Sequence, residues 1–149
     1  MIPLTLLEIT SAVRGVLDGF GETCVEQIVT DSRKITPGCL FVALQGDRFD
    51  GHDYIASAYE QGCVCVISHK PVEPPTGKAA IIVKDTKRAL MDLAAYYREQ
   101  FYIPVVGITG SVGKTTTKEF IYSVLSQGFC AIKTEGNFNN EIGLPLTVF

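Results

Sequence analysis

Residues 105–117 constrain this chain more than any other stretch of its sequence. They read Val-Val-Gly-Ile-Thr-Gly-Ser-Val-Gly-Lys-Thr-Thr-Thr, which predicts a buried strand, a glycine-rich turn and the start of a helix. This order is typical of a phosphate-binding loop, in which backbone N–H groups and the positive end of the helix dipole face the phosphates. We therefore expect this stretch to bind a phosphate-bearing nucleotide.

The side chains of this loop have separate expected roles. Lys114 would bring a mobile positive charge to the outer phosphates, and the hydroxyl of Thr115 could coordinate Mg²⁺. The remaining residues expected at the nucleotide are Gly110, Ser111, Val112, Gly113 and Thr116.

One glycine departs from the general pattern of such loops. The form G-x-x-x-x-G-K-[ST] requires a glycine five residues before Gly113, and Ile108 stands there. The nearby glycines are Gly107 and Gly110. A tight strand-to-helix connection that merely contains glycines is the alternative, but the strand, the glycines, Lys-Thr and the helical pattern together favour phosphate binding.

Composition restricts the class of protein. The chain has 149 residues, of which 46% are hydrophobic and 19% charged, as in a soluble globular protein of one domain or two small ones. A net charge of −3 gives no basic surface for nucleic acid, and no apolar run is long enough to cross a membrane. We expect no nucleic-acid partner and no membrane partner, and we expect the protein to be a monomer.

The chain start and the cysteines bear on localisation. No signal-peptide pattern opens the chain, because no basic region precedes its first apolar residues. The five cysteines form no C-x-x-C pair and are expected to be buried free thiols. Both observations favour a cytoplasmic protein in a reducing compartment.

Strand and helix patterns alternate along the chain, which predicts an α/β fold with a mostly parallel sheet. Strands are expected at residues 25–30, 40–44, 63–68, 79–83, 105–109 and 130–133. A capping box, Thr5 to Glu8, predicts a first helix that buries Leu6, Ile9 and Val13. The other three helices are expected to turn these residues inward: Tyr54, Ile55, Ala58 and Tyr59; Leu90, Leu93, Ala94 and Tyr97; Phe120, Ile121, Val124 and Leu125.

The predicted elements divide into two units. Residues 1–102 are expected to form a small N-terminal α/β domain, and residues 103–149 to begin a domain built around the phosphate loop. A nucleotide-binding sheet normally has at least about four strands, and residues 104–149 supply only two. We therefore expect an N-terminal piece of a longer protein, with a poorly packed apolar end at residues 144–149.

Two polar segments each follow a predicted strand. They are Asp31-Ser32-Arg33 and residues 46–52, and parallel strands would bring them to the same sheet edge. Such groups suit a ligand with a phosphate or a uracil-like edge. The alternative to a ligand site is a pair of ordinary surface ion pairs, Asp31 with Arg33 or Asp47 with Arg48. The chemistry of these residues, taken alone, favours this alternative.

An asparagine-rich loop, with Asn137, Asn139 and Asn140, follows the last predicted strand. Its amides could hold phosphate oxygens or metal-bound water if that strand lies beside the phosphate-loop strand. They could equally stabilise only their own loop, because asparagine readily hydrogen-bonds its own backbone. Both interpretations stay open at this point.

Several segments together resemble the Mur ligase family. Residues 109–115 resemble its shortened phosphate loop, T-G-[TS]-x-G-K-[TS], in which the displaced glycine is regular. Residues 31–33, 38–46 and 50–53 look like the UDP-binding domain of the later-acting members. Residues 136–145 are similar to the member that adds D-alanyl-D-alanine, and less similar to the one that adds lysine or diaminopimelate.

This resemblance implies an ATP-dependent amide ligase of peptidoglycan synthesis that uses ATP and Mg²⁺. Its substrates would be UDP-N-acetylmuramoyl-tripeptide and D-alanyl-D-alanine. Lys114 and Asn140 would be catalytic, with Asn137 beside the γ-phosphate and Thr115 on the metal. The implied contacts to the UDP substrate are Ser32, Arg33, Gly46, Asp47, Arg48 and His52.

Other functions remain open from the sequence. The diaminopimelate- or lysine-adding ligase, an unrelated phosphate-loop kinase or NTPase, and a non-enzymatic UDP-binding module are the alternatives. The ligase interpretation also implies that this polypeptide is inactive alone, because further domains of the family would be missing.

Overall fold

The computed structural model describes residues 1–46, 49–136 and 138–149. The predicted site residues Asp47, Arg48 and Asn137 lie outside the described residues. The strands are β1 Leu4–Thr5, β2 Val16–Asp18, β3 Cys24–Val25, β4 Ile28–Val29, β5 Leu40–Val42, β6 Cys65–Ser68 and β7 Ala79–Ile82. The helices are α1 Leu6–Val13, α2 Ile55–Glu60, α3 Thr86–Glu99, α4 Lys114–Leu125 and α5 Gly143–Val148, with 3₁₀ turns at Ser32–Lys34 and Gly51–Tyr54.

The fold is α/β, as the sequence predicts, around a five-stranded sheet. Its strand order is β2-β7-β6-β5-β4, in which β4 to β7 run parallel and β2 is antiparallel to β7. β1 and β3 form a separate antiparallel pair. Because β4 to β7 point the same way, their carboxyl ends meet at one edge of the sheet.

Helices cover both faces of this sheet, each through the apolar residues that its sequence pattern predicts. On one face, α1 and α3 pack over inward residues of β5, β6 and β7. Their buried contacts come from Leu6, Ile9, Val13, Leu90, Leu93 and Tyr97. On the other face, α2 packs through Ile55, Ala58 and Tyr59 against Phe41 and Val66.

Side-chain caps fix where the two larger N-terminal helices begin. The Thr5 backbone N–H donates to Glu8 Oε2 at 2.8 Å, and Glu8 N–H donates to Thr5 Oγ1 at 3.2 Å, so the predicted capping box is present. Asp85 Oδ1 accepts from the backbone N–H groups of Lys87 and Arg88 at 2.8 and 3.2 Å. Each cap satisfies helix N–H groups that have no partner within the helix.

Two details of the N-terminal prediction are wrong. The strand expected at residues 25–30 is divided between β3 and β4, which belong to different sheets. Tyr54 is 41% exposed instead of buried. It ends a 3₁₀ turn, whose tighter winding directs Tyr54 away from the face that α2 buries.

Within residues 103–149, the predicted helix forms but the predicted strands do not. The described part of residues 103–149 contains no strand, and Val105 and Val106 are 69% and 59% exposed. The expected inward face of α4 is also open, with Phe120 69% and Val124 72% exposed. A helix closes its own hydrogen bonds, whereas a strand needs a neighbour.

The expectation of a poorly packed C-terminal end is also wrong. Helix α5 packs against α3, and the ring of Phe149 lies 5.7 Å from the ring of Tyr97. Ile142, Val148 and Phe149 join the core cluster beneath α1 and α3. Leu144, at the start of α5, stays 54% exposed.

The cysteine prediction is confirmed only in part. All five are free, but Cys24 and Cys130 are exposed, while Cys39, Cys63 and Cys65 are buried. Among the described residues, no helix has both the length and the apolar character that a membrane crossing requires.

The packing of α3 gives a direct test of the core. Leu93 is fully buried, so Leu93→Ala should lower the free energy of unfolding by about 2–5 kcal/mol through lost burial and a residual cavity. Leu7, on α1, is 52% exposed, and Leu7→Ala should cost below about 1 kcal/mol. Urea unfolding of both variants measures this difference, and equal losses would contradict the described packing.

Candidate functional site

Two clefts open at the edge where the parallel strands β4 to β7 end, each with a volume of about 470 Å³. We call the first the arginine cleft; its lining is Thr30, Asp31, Ser32, Arg33, Phe49 and Tyr54. We call the second the lysine cleft; its lining is Gln45, Gly46, His69, Lys84, Asp85, Thr86 and Lys87. A crevice at this edge is the usual ligand site of an open α/β sheet.

An ion pair shapes one wall of the arginine cleft. Arg33 Nη2 donates to Asp31 Oδ2 at 2.7 Å, while Arg33 Nε and N–H donate to Oδ1 at 2.9 and 3.0 Å. The side-chain hydrogen bonds of Arg33, followed by its backbone N–H, lower the pKa of Asp31 to about 2. The predicted Asp31–Arg33 pair is therefore confirmed, and the Arg33 side chain is 87% exposed at the cleft.

The opposite wall of the arginine cleft is aromatic. The rings of Phe49 and Tyr54 stack with centroids 5.4 Å apart and planes 29° from parallel, and both residues are partly exposed. An open aromatic face beside a guanidinium can hold a planar base that is attached to phosphate. Sequence reasoning missed this pair, because it placed Tyr54 in the core.

The loop between β5 and α2 is held closed by backbone hydrogen bonds and contributes to both clefts. Gly46 N–H donates to Phe49 O and Gly51 N–H donates to Leu44 O, both at 2.8 Å. A Cβ at Gly51 would lie 2.8 Å from the Leu44 oxygen and 2.9 Å from its nitrogen, so the close approach requires glycine.

A buried histidine and a bridging carboxylate support this loop from below. Asp50 Oδ1 lies 2.5 Å from His52 Nδ1, and Asp50 Oδ2 accepts from Lys70 Nζ at 2.6 Å. His52 Nε2 accepts from the His69 backbone N–H at 3.4 Å, so the ring proton belongs on Nδ1 and is donated to Asp50. The Lys70 ammonium, then the His52 backbone and ring, hold the pKa of Asp50 well below its usual range.

This arrangement gives His52 a supporting position. Its side chain is only 4% exposed and both ring nitrogens are engaged within the protein. A direct contact between His52 and a ligand stays a prediction. The geometry instead shows His52 joining the loop after β5 to the end of β6.

The lysine cleft contains the predicted site residue Gly46 together with residues that sequence reasoning missed. The His69 ring meets the His52 ring edge-on at 4.2 Å, and burial, followed by the nearby His52 and Lys70, lowers the pKa of His69. His69 and Lys70 directly follow β6, so the strand-end rule that found Ser32 and Arg33 would have found them too.

The phosphate loop has the backbone form that its motif predicts, even though the preceding strand is absent. Gly113 is left-handed with φ +80° and precedes α4, whose first hydrogen bond runs from Thr117 N–H to Gly113 O at 2.9 Å. The N–H groups of Lys114, Thr115 and Thr116 come before that bond and can face an anion. Lys114 Nζ folds back onto the Gly110 carbonyl at 2.5 Å.

The donor set of this loop fits a nucleoside triphosphate with Mg²⁺. Residues 110–116 are all exposed, so the backbone donors, the Lys114 ammonium and the Thr115 hydroxyl are accessible together. Among the described residues, no cluster of three histidine, cysteine, aspartate or glutamate side chains could hold a metal. A Mg²⁺ bound by one hydroxyl, phosphates and water needs no such cluster.

Asn140 has a structural role in the described chain. Its Oδ1 accepts from the backbone N–H groups of Gly143 and Ile142 at 2.7 and 3.2 Å, which caps the start of α5. This favours the interpretation that the asparagine loop stabilises its own backbone. A catalytic role of Asn140 stays a prediction.

The matches to known families cover most of the chain. The model for the Mur ligase family, catalytic domain, matches residues 25–98, and that for the Mur ligase middle domain matches residues 108–149. The chain belongs to the Mur ligase family. The first match spans β4 to α3 with both clefts, and the second covers α4 with most of the phosphate loop.

Individual Mur ligases resemble the whole chain. A relative from Bacillus subtilis named UDP-N-acetylmuramoyl-tripeptide–D-alanyl-D-alanine ligase is 44% identical, over 99% of this chain and 33% of its own length. MurF from Acinetobacter baumannii matches with TM-score 0.91 and 39% identity, over 98% of this chain and 32% of that one. MurF from Thermotoga maritima, solved with ADP, matches with TM-score 0.76 and 38% identity, over 83% and 29%.

The chain spans about a third of the length of the curated Mur ligases that it matches. Its α/β fold with a mainly parallel sheet agrees with these structural neighbours.

The Asp31–Arg33 pair predicts a pH dependence of local stability. The carboxyl pKa should be about 2 in the folded chain against 3.8 for a free side chain, so the stabilisation is present above pH 3.8 and lost as pH falls towards 2. Carboxyl carbon shifts in an NMR titration measure this pKa. In Arg33→Ala it should rise towards 3.8, whereas Lys34→Ala should change it little, because Lys34 is only a minor cause.

Proposed function

We propose that this chain is the N-terminal part of an ATP-dependent ligase that joins D-alanyl-D-alanine to UDP-N-acetylmuramoyl-tripeptide in peptidoglycan synthesis. The observation that carries this proposal is the 44% identity, across 99% of the chain, with a relative named for that reaction. The exposed phosphate loop and the two clefts supply the nucleotide and substrate sites that such a ligase needs.

In this proposal the two predicted domains of the chain bind different ligands. Residues 1–102 bind the UDP substrate, and residues 103–149 begin the domain that binds ATP. The arginine cleft suits the uridine diphosphate, because Phe49 and Tyr54 offer an aromatic face while Ser32 and Arg33 offer donors to phosphate. Gly46 lines the lysine cleft and Phe49 lines the arginine cleft, and Gly46, Asp47, Arg48 and His52 are further proposed contacts to the UDP substrate.

The proposed chemistry transfers the γ-phosphoryl group of ATP to the terminal carboxylate of the tripeptide. This gives an acyl phosphate and ADP, after which the amine of the dipeptide attacks the acyl carbon and releases inorganic phosphate. Backbone N–H groups of Gly110 to Gly113 and the Lys114 ammonium would hold the phosphates in line. Bound Mg²⁺, with Thr115 as one ligand, would neutralise charge on the phosphate oxygens.

The second candidate is the ligase that adds diaminopimelate or lysine, which would share the phosphate loop and a UDP-binding domain. The high identity with relatives named for D-alanyl-D-alanine favours the first reaction. We also propose a cytoplasmic monomer, in keeping with a nucleotide-linked substrate and with five free cysteines.

The proposal is tested on the natural protein that carries this sequence. ADP release should require UDP-N-acetylmuramoyl-tripeptide and D-alanyl-D-alanine together, and mass spectrometry should find the UDP-linked pentapeptide. Turnover with diaminopimelate or lysine and the UDP-linked dipeptide would instead identify the second candidate. A rate of ATP hydrolysis that does not depend on any muramoyl substrate would refute both candidate reactions.

Lys114→Ala separates the two proposed sites. The rate of ligation should fall by at least about a hundredfold, because the variant lacks the Lys114 ammonium that would neutralise negative charge on the transferred phosphoryl group. Its affinity for the UDP substrate, measured by calorimetry, should stay within about twofold of the parent, since no residue of either cleft changes. A parallel loss of UDP-substrate affinity would show that the two sites are not separate.

Phe49→Ala tests the aromatic wall. Removing one ring of the stacked pair should weaken binding of the UDP substrate by about tenfold, as expected for loss of a base-stacking surface. Phe20→Ala is the matched control, because Phe20 is 75% exposed and belongs to neither cleft. Equal effects of the two substitutions in calorimetry would place the base elsewhere.

A further inference from the structure

Lys118 connects the phosphate-loop helix to the segment that leads into the asparagine loop. Its Nζ donates to the carbonyl oxygens of Thr134 at 2.6 Å and Gly136 at 3.4 Å. The side chain is only 15% exposed, and its ammonium has exchanged much of its water for these two carbonyls and for Glu119 Oε1, which lies 3.5 Å away. Charge-assisted bonds of this kind are among the stronger hydrogen bonds in proteins.

The position of Lys118 relates it to the nucleotide site. Lys114 and Lys118 are four residues apart on α4, so their side chains share one face of the helix. The first has its ammonium on the phosphate loop, at the Gly110 carbonyl, and the second has its ammonium on residues 134–136. One helix face therefore holds both loops.

Other contacts support the segment before the asparagine loop but do not replace Lys118. Lys133 pairs with Glu119 of α4 and lies 4.3 Å from the centre of the Tyr122 ring. These contacts hold residue 133, at the near end of the segment. In the described residues, the carbonyls of Thr134 and Gly136 belong to no helix or strand, so Lys118 fixes backbone that secondary structure leaves unpaired.

We propose that Lys118 is a positioning residue, which holds Thr134 and Gly136 against α4 and so places the described residues 138–140 of the asparagine loop beside the bound triphosphate. This inference rests on the proposed function, because it assigns the loop to the ATP site. Lys118 itself touches neither the phosphates nor the UDP substrate. Its effect is transmitted through the Thr134 and Gly136 carbonyls.

The test compares three substitutions in the natural protein that carries this sequence. Lys118→Met keeps most of the stem but removes the donors, and Lys118→Arg restores donors to the same carbonyls. Lys133→Met is the matched control, since it removes the same charge and another partner of Glu119 but leaves the bonds from Lys118 to the two carbonyls in place.

Steady-state ligation kinetics should separate these variants. Lys118→Met should lower kcat/KM for ATP by about tenfold to a hundredfold, because a misplaced loop costs orientation at the reacting phosphate. KM for the UDP substrate should change by less than about twofold, and Lys118→Arg should recover most of the loss. An unchanged kcat/KM in Lys118→Met, or an equal loss in Lys133→Met, would overturn the proposal.

A structural measurement keeps the inference distinct from the proposed function. Amide hydrogen exchange of residues 134–142 should accelerate in Lys118→Met and return towards the parent rate in Lys118→Arg. Slow exchange in Lys118→Met would refute the positioning role of Lys118 even if the parent is an active ligase. A parent without ligase activity would refute the proposed function, while faster exchange in Lys118→Met would still show that Lys118 holds this loop.

Discussion

The parallel direction of β4 to β7 is the constraint on which both clefts of this molecule depend. Each of these strands delivers its following loop to the same edge of the sheet, and both clefts are built from those loops. The register pairs Phe41 with Val66 and Val66 with Ala80 across the sheet. A slip by one residue would turn these buried side chains to the opposite face, so core packing also fixes where the loops begin.

Local patterns were enough to predict helices α1 to α4 and the phosphate loop, but not α5. The Thr5–Glu8 box and the Gly113–Lys114 junction each lie within a few residues of sequence, so all the residues that make each interaction can be read from one short segment. The Asp31–Arg33 pair was predictable for the same reason. The Asp50–Lys70 contact was not, because it joins residues 20 apart that come together only once β5 and β6 pair.

The wrong strand predictions within residues 103–149 have a related cause. Residues 105–109 and 130–133 have strand-like sequences, but a strand is stable only when neighbours accept its hydrogen bonds and cover its apolar side chains. The described chain supplies no such neighbours, and the exposed Val105, Phe120 and Ile132 show the apolar surface that remains uncovered. Helix α4 is present because its backbone bonds are internal.

Where strand pairing is absent, long polar side chains take over part of the backbone's hydrogen bonding. Arg98 donates to the carbonyls of Phe101 and Ile103 at 2.8 and 2.7 Å, at the boundary that the sequence predicts between the two units. Lys118 does the same for Thr134 and Gly136, and Asn140 accepts from the backbone at the start of α5. Each of these bonds orders a loop at one point and leaves its remaining residues accessible. That combination suits a nucleotide site, where backbone donors must be held in place yet stay open to the ligand.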